Sequence, residues 1–396
     1  MPKTPEKLDI PALHGLRALM VFMVAYYHIW QQSWLPQYGR VLGQWINGDY
    51  IVRTGYLFVD GMLLLSGFLL FLPYARQMME RTPVPDTRRF FLNRAARILP
   101  SYLFCVLVML ALVALPQGMY ASWQEGAADV LAHLTFTFPF FYQTNLQTPL
   151  NSALWTVAVE VQFYLLFPFL ARRAQRWPAV TLMLMALAGL LWRGGVAVWA
   201  EDTSLLVNQM PAFLDVYALG MAGAMVYVRL RLWLAQADRL SRTALSLLAA
   251  GLVALGIWGV LATLGMQCEQ GLKGYEELRL GQLLWRLPFA AAVLCATLGL
   301  ALMPRRAQWL MGNRLARFAS VISYNFYIWH QVLAVQMREA WFADVSALHS
   351  DIGLQWAYTV LSISVSILVA AAVTYGLEQP LSRRIKAIIP KGGHLA

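Results

Sequence analysis

Charge is scarce in this chain. Only 13% of its 396 residues are Asp, Glu, Lys or Arg, where a soluble globular chain carries about 25%. Cysteine is scarcer: Cys105, Cys268 and Cys295 are the whole supply. Three thiols build no disulfide framework, and their spacing matches no zinc site, so no metal is expected. No period of 20–50 residues repeats, which excludes a solenoid. No cleavable leader is expected either. The first ten residues (MPKTPEKLDI) are polar, and the next apolar run holds Arg and His without a small-residue cleavage site. The first apolar span is therefore expected to be retained.

Apolar residues make up 59% of the chain, with a mean hydropathy of +0.53. That excludes an ordinary soluble enzyme and a disordered chain. The apolar stretches are continuous runs rather than short alternating strands, which argues against a β-barrel. Ten of them are long enough to cross a bilayer, near 12–33, 55–74, 98–115, 152–171, 178–199, 210–228, 243–265, 282–303, 319–340 and 356–378. The third is the shortest, and polar residues interrupt the ninth. The expected fold is an all-α polytopic membrane protein of about ten transmembrane helices. Residues 1–396 are read as a single transmembrane domain without an appended extracytoplasmic domain.

A net charge of +11 would point to nucleic acid in a soluble protein. In a membrane protein it reflects Lys and Arg held in cytoplasmic loops, and no nucleic acid is expected. Of the 31 Lys and Arg residues, 23 fall on one side of the predicted spans. They include Lys3, Lys7, Arg94, Arg97, Arg172, Arg173, Arg229, Arg305, Arg383 and Lys391. Only Arg40, Arg53, Lys273 and Arg279 fall on the other. This asymmetry predicts that both termini are cytoplasmic.

The longest segment on the other side, 116–151, has no Lys or Arg and holds Trp123, His133, further aromatics and Asn, Gln and Thr. Two readings are open: an interfacial segment with only structural work, or a surface suited to stacking on sugar rings.

Ionisable groups inside apolar spans usually mark function. This chain has Arg17, His28, Asp60, Glu160, Asp215, His330 and Glu378. Some are expected to be structural pairs, Arg286 with Asp215 among them. Arg17 and His28 are eleven residues apart. Eleven steps of about 100° leave them about 20° from alignment on one helix face, roughly 16–17 Å apart along the axis. Arg suits bidentate binding of phosphate, and His suits proton transfer near neutral pH. A cytosolic molecule with a phosphate head and an extended reactive tail would fit that separation. The alternative is a packing Arg and an unrelated core His. Arg94 and Arg97, in the basic run RRFFLNRAARILP (88–100), also share a face at i, i+3. They read either as a membrane anchor or as a second phosphate clamp. Tyr164 lies four residues after Glu160, on its face, which allows a joint polar site.

At these residues the chain resembles the acyltransferase 3 family of integral membrane O-acyltransferases. IPALHGLRALMVFMVAYYHIW carries its Arg-x10-His arrangement as Arg17 and His28. GYLFVDGMLLLSGFLLF is similar to its second helix, with Ser66 and Gly67; RAARILPSY is similar to its Arg-x-x-Arg loop. LWTVAVEVQFYLLFP is similar to its fourth-helix signature around Trp155, Glu160 and Tyr164, and SYNFYIWHQ and Glu378-Gln-Pro380 to its last two helices. His14 departs from the pattern, which usually has Asp before Gly-Leu-Arg. That puts any role for an acid at this position in doubt.

The resemblance implies an acyl-CoA donor, most often acetyl-CoA, and a hydroxyl acceptor on a carbohydrate or glycolipid of a bacterial cell envelope. It implies a multi-pass protein of the bacterial cytoplasmic membrane. His28 is then the expected general base, with Glu160 orienting it or binding the acceptor. Arg17, Arg94, Arg97, Ser66 and Gly67 are the expected donor-binding set. Trp155, Tyr164, Asp60 and His330 are the candidates for lining the acceptor site. A covalent intermediate on Ser66 or a Tyr stays open, as does a structural role for His330 bonded to a neighbouring carbonyl. Glu378 is expected to cap the last span. Competing expectations are a transporter or flippase of a glycan or lipid intermediate, and an acyltransferase using succinyl-CoA or a longer acyl-CoA. Nothing in the sequence signals an oligomeric state.

Overall fold

The computed structural model describes residues 9–41, 43–83, 85–347 and 351–387. Lys3, Lys7 and Lys391, used above in the charge asymmetry, lie outside them.

The chain is almost wholly helical. In order come α1 (Ala12–Ser33), the hairpin β1 (Tyr38–Val41) and β2 (Gln44–Asn47), α2 (Asp49–Arg53), α3 (Phe58–Glu80), α4 (Thr87–Met109), α5 (Trp123–Leu134), α6 (Tyr142–Asn145) and α7 (Trp155–Arg176). Then follow α8 (Pro178–Trp199), α9 (Leu214–Gln236), α10 (Arg239–Gly271), α11 (Tyr275–Leu302), α12 (Arg305–Gly312), α13 (Arg314–Trp341), α14 (Ile352–Val373) and α15 (Gln379–Ala387). Nine helical segments among the described residues are long and apolar enough to cross a membrane.

The tenth expected span is α13. It has 28 residues, about 42 Å at 1.5 Å per residue, so its length suffices. Its hydropathy is lowered by Ser320, Ser323, Asn325 and His330, all buried inside the protein rather than facing lipid. Spans 12–33 and 178–199 match α1 and α8 residue for residue. Most others run one or two turns beyond their apolar stretch. The basic run 88–100, expected as a loop, is helical: Asp86 caps α4 by accepting from the Arg89 N–H at 2.8 Å, and Pro100 lies inside the helix. The hairpin, paired Tyr38 with Asn47 and Val41 with Gln44, was not expected from the sequence.

The chain forms two compact units interleaved in sequence: 1–84 with 169–323, and 85–168 with 324–396. In the first, α3 packs along α9, α10 along α11, and α1 against α3 and α12. Close approach of α3 and α9 depends on glycine. A Cβ at Gly67 would lie 2.6 Å from the Tyr217 carbonyl oxygen. Four buried charges hold this unit together. Arg193 donates Nη1 and Nη2 to the two oxygens of Asp215 at 2.7 and 2.6 Å. Arg286 donates Nε to Asp60 at 3.2 Å and Nη1 to the Val207 carbonyl at 3.0 Å. The expected Arg286–Asp215 partnership is thus corrected. Asp215 accepts from both Nη atoms of Arg193 and from the Val216 N–H at 3.0 Å, and Arg286 turns to α3.

In the second unit, the first part of α7 and the second part of α13 pack with α4, α14 and α15 around Tyr102, Phe163, Phe167 and Tyr358, all fully buried. Asn151 fastens the start of α7. Its Oδ1 accepts from the Ala153 N–H at 3.0 Å, and its Nδ2 donates to the Ile328 carbonyl of α13 at 2.8 Å.

Candidate active site

The predicted site residues are divided between the two units. Arg17, His28, Asp60, Ser66 and Gly67 belong to the first; Arg94, Arg97, Trp155, Glu160, Tyr164, His330 and Glu378 belong to the second.

In the first unit, α1 is unbroken from Ala12 to Ser33, so Arg17 and His28 lie on one face as their spacing predicts. Both are half-buried. His28 Nδ1 lies 3.1 Å from Gln31 Oε1. The Gln31 amide is oriented in turn, because its Nε2 donates to the Tyr27 hydroxyl at 2.8 Å. With Oε1 facing the ring, the pairing suits the tautomer with the proton on Nδ1 and the lone pair on Nε2. The Tyr27 ring stands edge-on to Tyr56, whose hydroxyl accepts from Gln267 Nε2 at 2.7 Å. Sequence reasoning missed Gln31 and Tyr27, although Gln31 sits at i+3 from His28, the spacing of side-chain neighbours on a helix. His14 pairs with Asp9 at 2.9 Å in an exposed contact.

Asp60 was a candidate for the acceptor site. It is 3% exposed; its Oδ1 accepts from Arg286, and its Oδ2 is buried with no hydrogen-bond partner among the described residues. Gly67 was a candidate for the donor site. Its open face is filled by the Tyr217 backbone. Ser66 is half-buried on α3.

In the second unit, the Tyr164 hydroxyl donates to Glu160 Oε1, joining the two residues that share a face of α7. The Arg94 guanidinium carbon stands 5.5 Å from the centroid of the Tyr164 ring and 5.7 Å from that of Phe90. Its Nε is buried and has no hydrogen-bond partner among the described residues. Arg97 is on the same face of α4, one turn on. Tyr324 donates to the Ile98 carbonyl at 3.1 Å and stands within electrostatic reach of Arg97, Glu160 and Glu378. Two guanidinium groups, two carboxylates and two phenols thus gather between α4, α7 and α13. Tyr324 was not anticipated, since a tyrosine in an apolar helix reads as core.

His330 is fully buried, and its Nδ1 donates to the Tyr327 carbonyl of its own helix. That is the structural arrangement held open above. Trp155 opens α7 and is half-buried. Glu378 does not cap a helix end. A π-helical turn, Thr374–Glu378, leads directly into α15, and Glu378 accepts from Asn325 Nδ2 at 2.7 Å.

Segment 116–151 is ordered around α5 and α6. Among the described residues of the chain, no group of three or more His, Cys, Asp or Glu side chains could hold a metal ion.

The family model of an acyltransferase domain, acyltransferase 3, matches residues 10–375. The chain belongs to this family. It is 29% identical over 166 residues to the O-acetyltransferase OatA of Staphylococcus aureus, covering 40% of this chain and 24% of that protein. It is 27% identical over 200 residues to the peptidoglycan O-acetyltransferase OatA of Listeria monocytogenes, covering 48% of this chain and 28% of that one. The matched region is thus about a quarter of the length of these relatives. No solved structure matches.

Proposed function

We propose that this member of the acyltransferase 3 family is a membrane O-acyltransferase that moves an acyl group, acetyl first among the candidates, from cytosolic acyl-CoA to a hydroxyl of a cell-envelope carbohydrate. The observation that carries the reading is the match of nearly the whole chain to the family, with Arg17 and His28 on one face of an unbroken helix. The names of the relatives supply the acetyl group and the envelope glycan.

In this reading Arg17, Arg94 and Arg97 bind the phosphates of CoA through charge-assisted hydrogen bonds. The unanswered, buried Nε of Arg94 favours that role. A pantetheine arm laid along the Arg17–His28 face brings the thioester toward the imidazole. His28 Nε2 takes the proton of the acceptor hydroxyl as that oxygen attacks the thioester carbonyl. The C–S bond breaks, the new C–O ester bond remains, and the imidazolium returns the proton to the leaving thiolate. A thioester is already activated, so positioning and base catalysis suffice for the step. Gln31 holds the tautomer that this assignment needs. Glu160 and Tyr164 act as a joined pair toward the donor or the acceptor.

The charge asymmetry of the loops puts both termini in the cytoplasm, in a bacterial cytoplasmic membrane. A C-terminal green fluorescent protein fusion that fluoresces, with an inactive alkaline phosphatase fusion at the same point, is the expected result; the opposite pair contradicts it. The chemistry is tested by following free thiol from acetyl-CoA with purified protein and envelope glycans. Release that requires His28 and rises with one glycan supports the proposal. Transport of an intact glycan or lipid intermediate without thiol release would replace it with the transporter reading.

A further inference from the structure

Segment 116–151 holds a cavity of about 420 Å³ lined in part by Tyr120, Ala128, Asp129, Phe141, Gln143 and Gln147. Its volume lies in the range of small-molecule sites, about 300–1,000 Å³. The floor is unusual. Asp129 is 3% exposed. Its Oδ2 accepts from the Tyr120 hydroxyl and from the Thr148 hydroxyl, each at 2.8 Å. Its Oδ1 is closed to solvent and stands 3.1 Å from His133 Nδ1. The same nitrogen donates to the Asp129 main-chain carbonyl at 2.9 Å, so this network is fixed within the segment. Burial and the adjoining carboxylate push the Tyr120 phenol up, so it remains protonated and keeps donating to Oδ2.

The rim has the parts that recognise sugars. Gln143 and Gln147 are exposed amides, each with donors and an acceptor. Phe141 is 55% exposed and offers an apolar face. No Lys or Arg occurs anywhere in 116–151, whereas Glu125 also lines the cavity. An anionic ligand would meet two carboxylates and no cation.

We infer that this cavity is a subsite for an uncharged, hydroxyl-rich glycan, with the Phe141 ring against a sugar face and the amides of Gln143 and Gln147 bonding its hydroxyls. It selects neutral hexose or N-acetylhexosamine units over uronic acids. As an acceptor subsite it rests on the acyl-transfer reading; as a glycan site it does not.

Binding is therefore measured without acyl donor, by calorimetry on the full chain in nanodiscs. The probes are chitotetraose, cellotetraose and trigalacturonate. Two variants leave the Asp129 network in place. Ala128→Trp fills the cavity from an exposed position, and Gln143→Ala/Gln147→Ala strips the rim. One neutral tetrasaccharide is expected to bind the wild type and trigalacturonate not to. The double alanine variant should bind about three- to tenfold more weakly for each lost hydrogen bond, and Ala128→Trp should not bind. Equal binding to Ala128→Trp and wild type, preference for trigalacturonate, or absence of binding by either neutral probe overturns the inference. Thiol release from acetyl-CoA, run in parallel, reports on the acyl-transfer reading separately.

Discussion

His28 Nδ1 lies 3.1 Å from the Oε1 of Gln31, three residues further along the same helix. The Gln31 amide also donates to Tyr27, and in that orientation it presents an acceptor to the ring, which suits the tautomer with the proton on Nδ1. This makes Gln31 a positioning residue for the proposed base. Gln31→Ala is expected to lower kcat by about ten- to a hundredfold, the scale of a misplaced reacting group, with KM for acetyl-CoA unchanged. Gln31→Glu, which keeps an acceptor at the same reach, should recover much of the loss. A variant that raises KM and leaves kcat intact would remove the assignment.

The arginine assignments predict a difference between donors. Arg94→Ala and Arg97→Ala should each reduce kcat/KM for acetyl-CoA by about 10- to 150-fold, the equivalent of about 1.5–3 kcal/mol for a hydrogen bond between charged partners. S-acetylpantetheine lacks the nucleotide phosphates, so its use should change little in the same variants. Equal losses with both donors would mean that the arginines serve the fold or the acyl end.

The buried charges of the first unit carry a stability prediction. Asp60→Ala leaves the Arg286 guanidinium, 2% exposed, without its carboxylate. Breaking a buried pair from one side costs about 3–5 kcal/mol. Thermal unfolding in detergent should show a clear drop for Asp60→Ala or Arg286→Ala, and a smaller one when both are replaced by apolar residues of similar volume. Equal stability of Asp60→Ala and wild type would show that the pair is dispensable.

Gly67→Ala tests the crossing of α3 and α9. The added methyl would meet the Tyr217 carbonyl at 2.6 Å. Overpacking of this kind costs about 1–3 kcal/mol, so the variant should unfold at lower temperature. Leu69→Phe, at a position 38% exposed on the same helix, provides the contrast, with little change expected there. If Gly67→Ala were as stable as wild type, the close approach of the two backbones would be in error.

Much of this architecture was legible because membrane spans are written in composition. A run of apolar residues long enough for the bilayer names its own helix, as α1 and α8 show. Helix ends were less legible. Basic residues such as Arg88 and Arg89 read as loop, yet the Asp86 cap starts α4 ahead of them. Pair partners were the hardest. Asp60, Arg193, Asp215 and Arg286 are all rare charges in apolar helices, and four such groups allow several pairings that only packing decides. The face shared by Arg17 and His28 followed from helical spacing. The gathering of Arg97, Glu160, Tyr324 and Glu378 did not, because it joins helices far apart in sequence. The resemblance of the short motifs to the acyltransferase 3 family was specific because six occur in order; the match over residues 10–375 agrees with it.

The central claim is that His28 is the base that couples acyl-CoA cleavage to glycan acylation. The most direct measurement follows free thiol from acetyl-CoA with purified wild type and His28→Ala in nanodiscs, with and without an envelope glycan pool, alongside acetyl-CoA binding to each. Loss of a positioned general base lowers the rate by about 10²–10⁴-fold. The account predicts glycan-stimulated thiol release by the wild type, a loss of that size in His28→Ala, and unchanged acetyl-CoA binding. Near-normal release by a folded His28→Ala protein would contradict it.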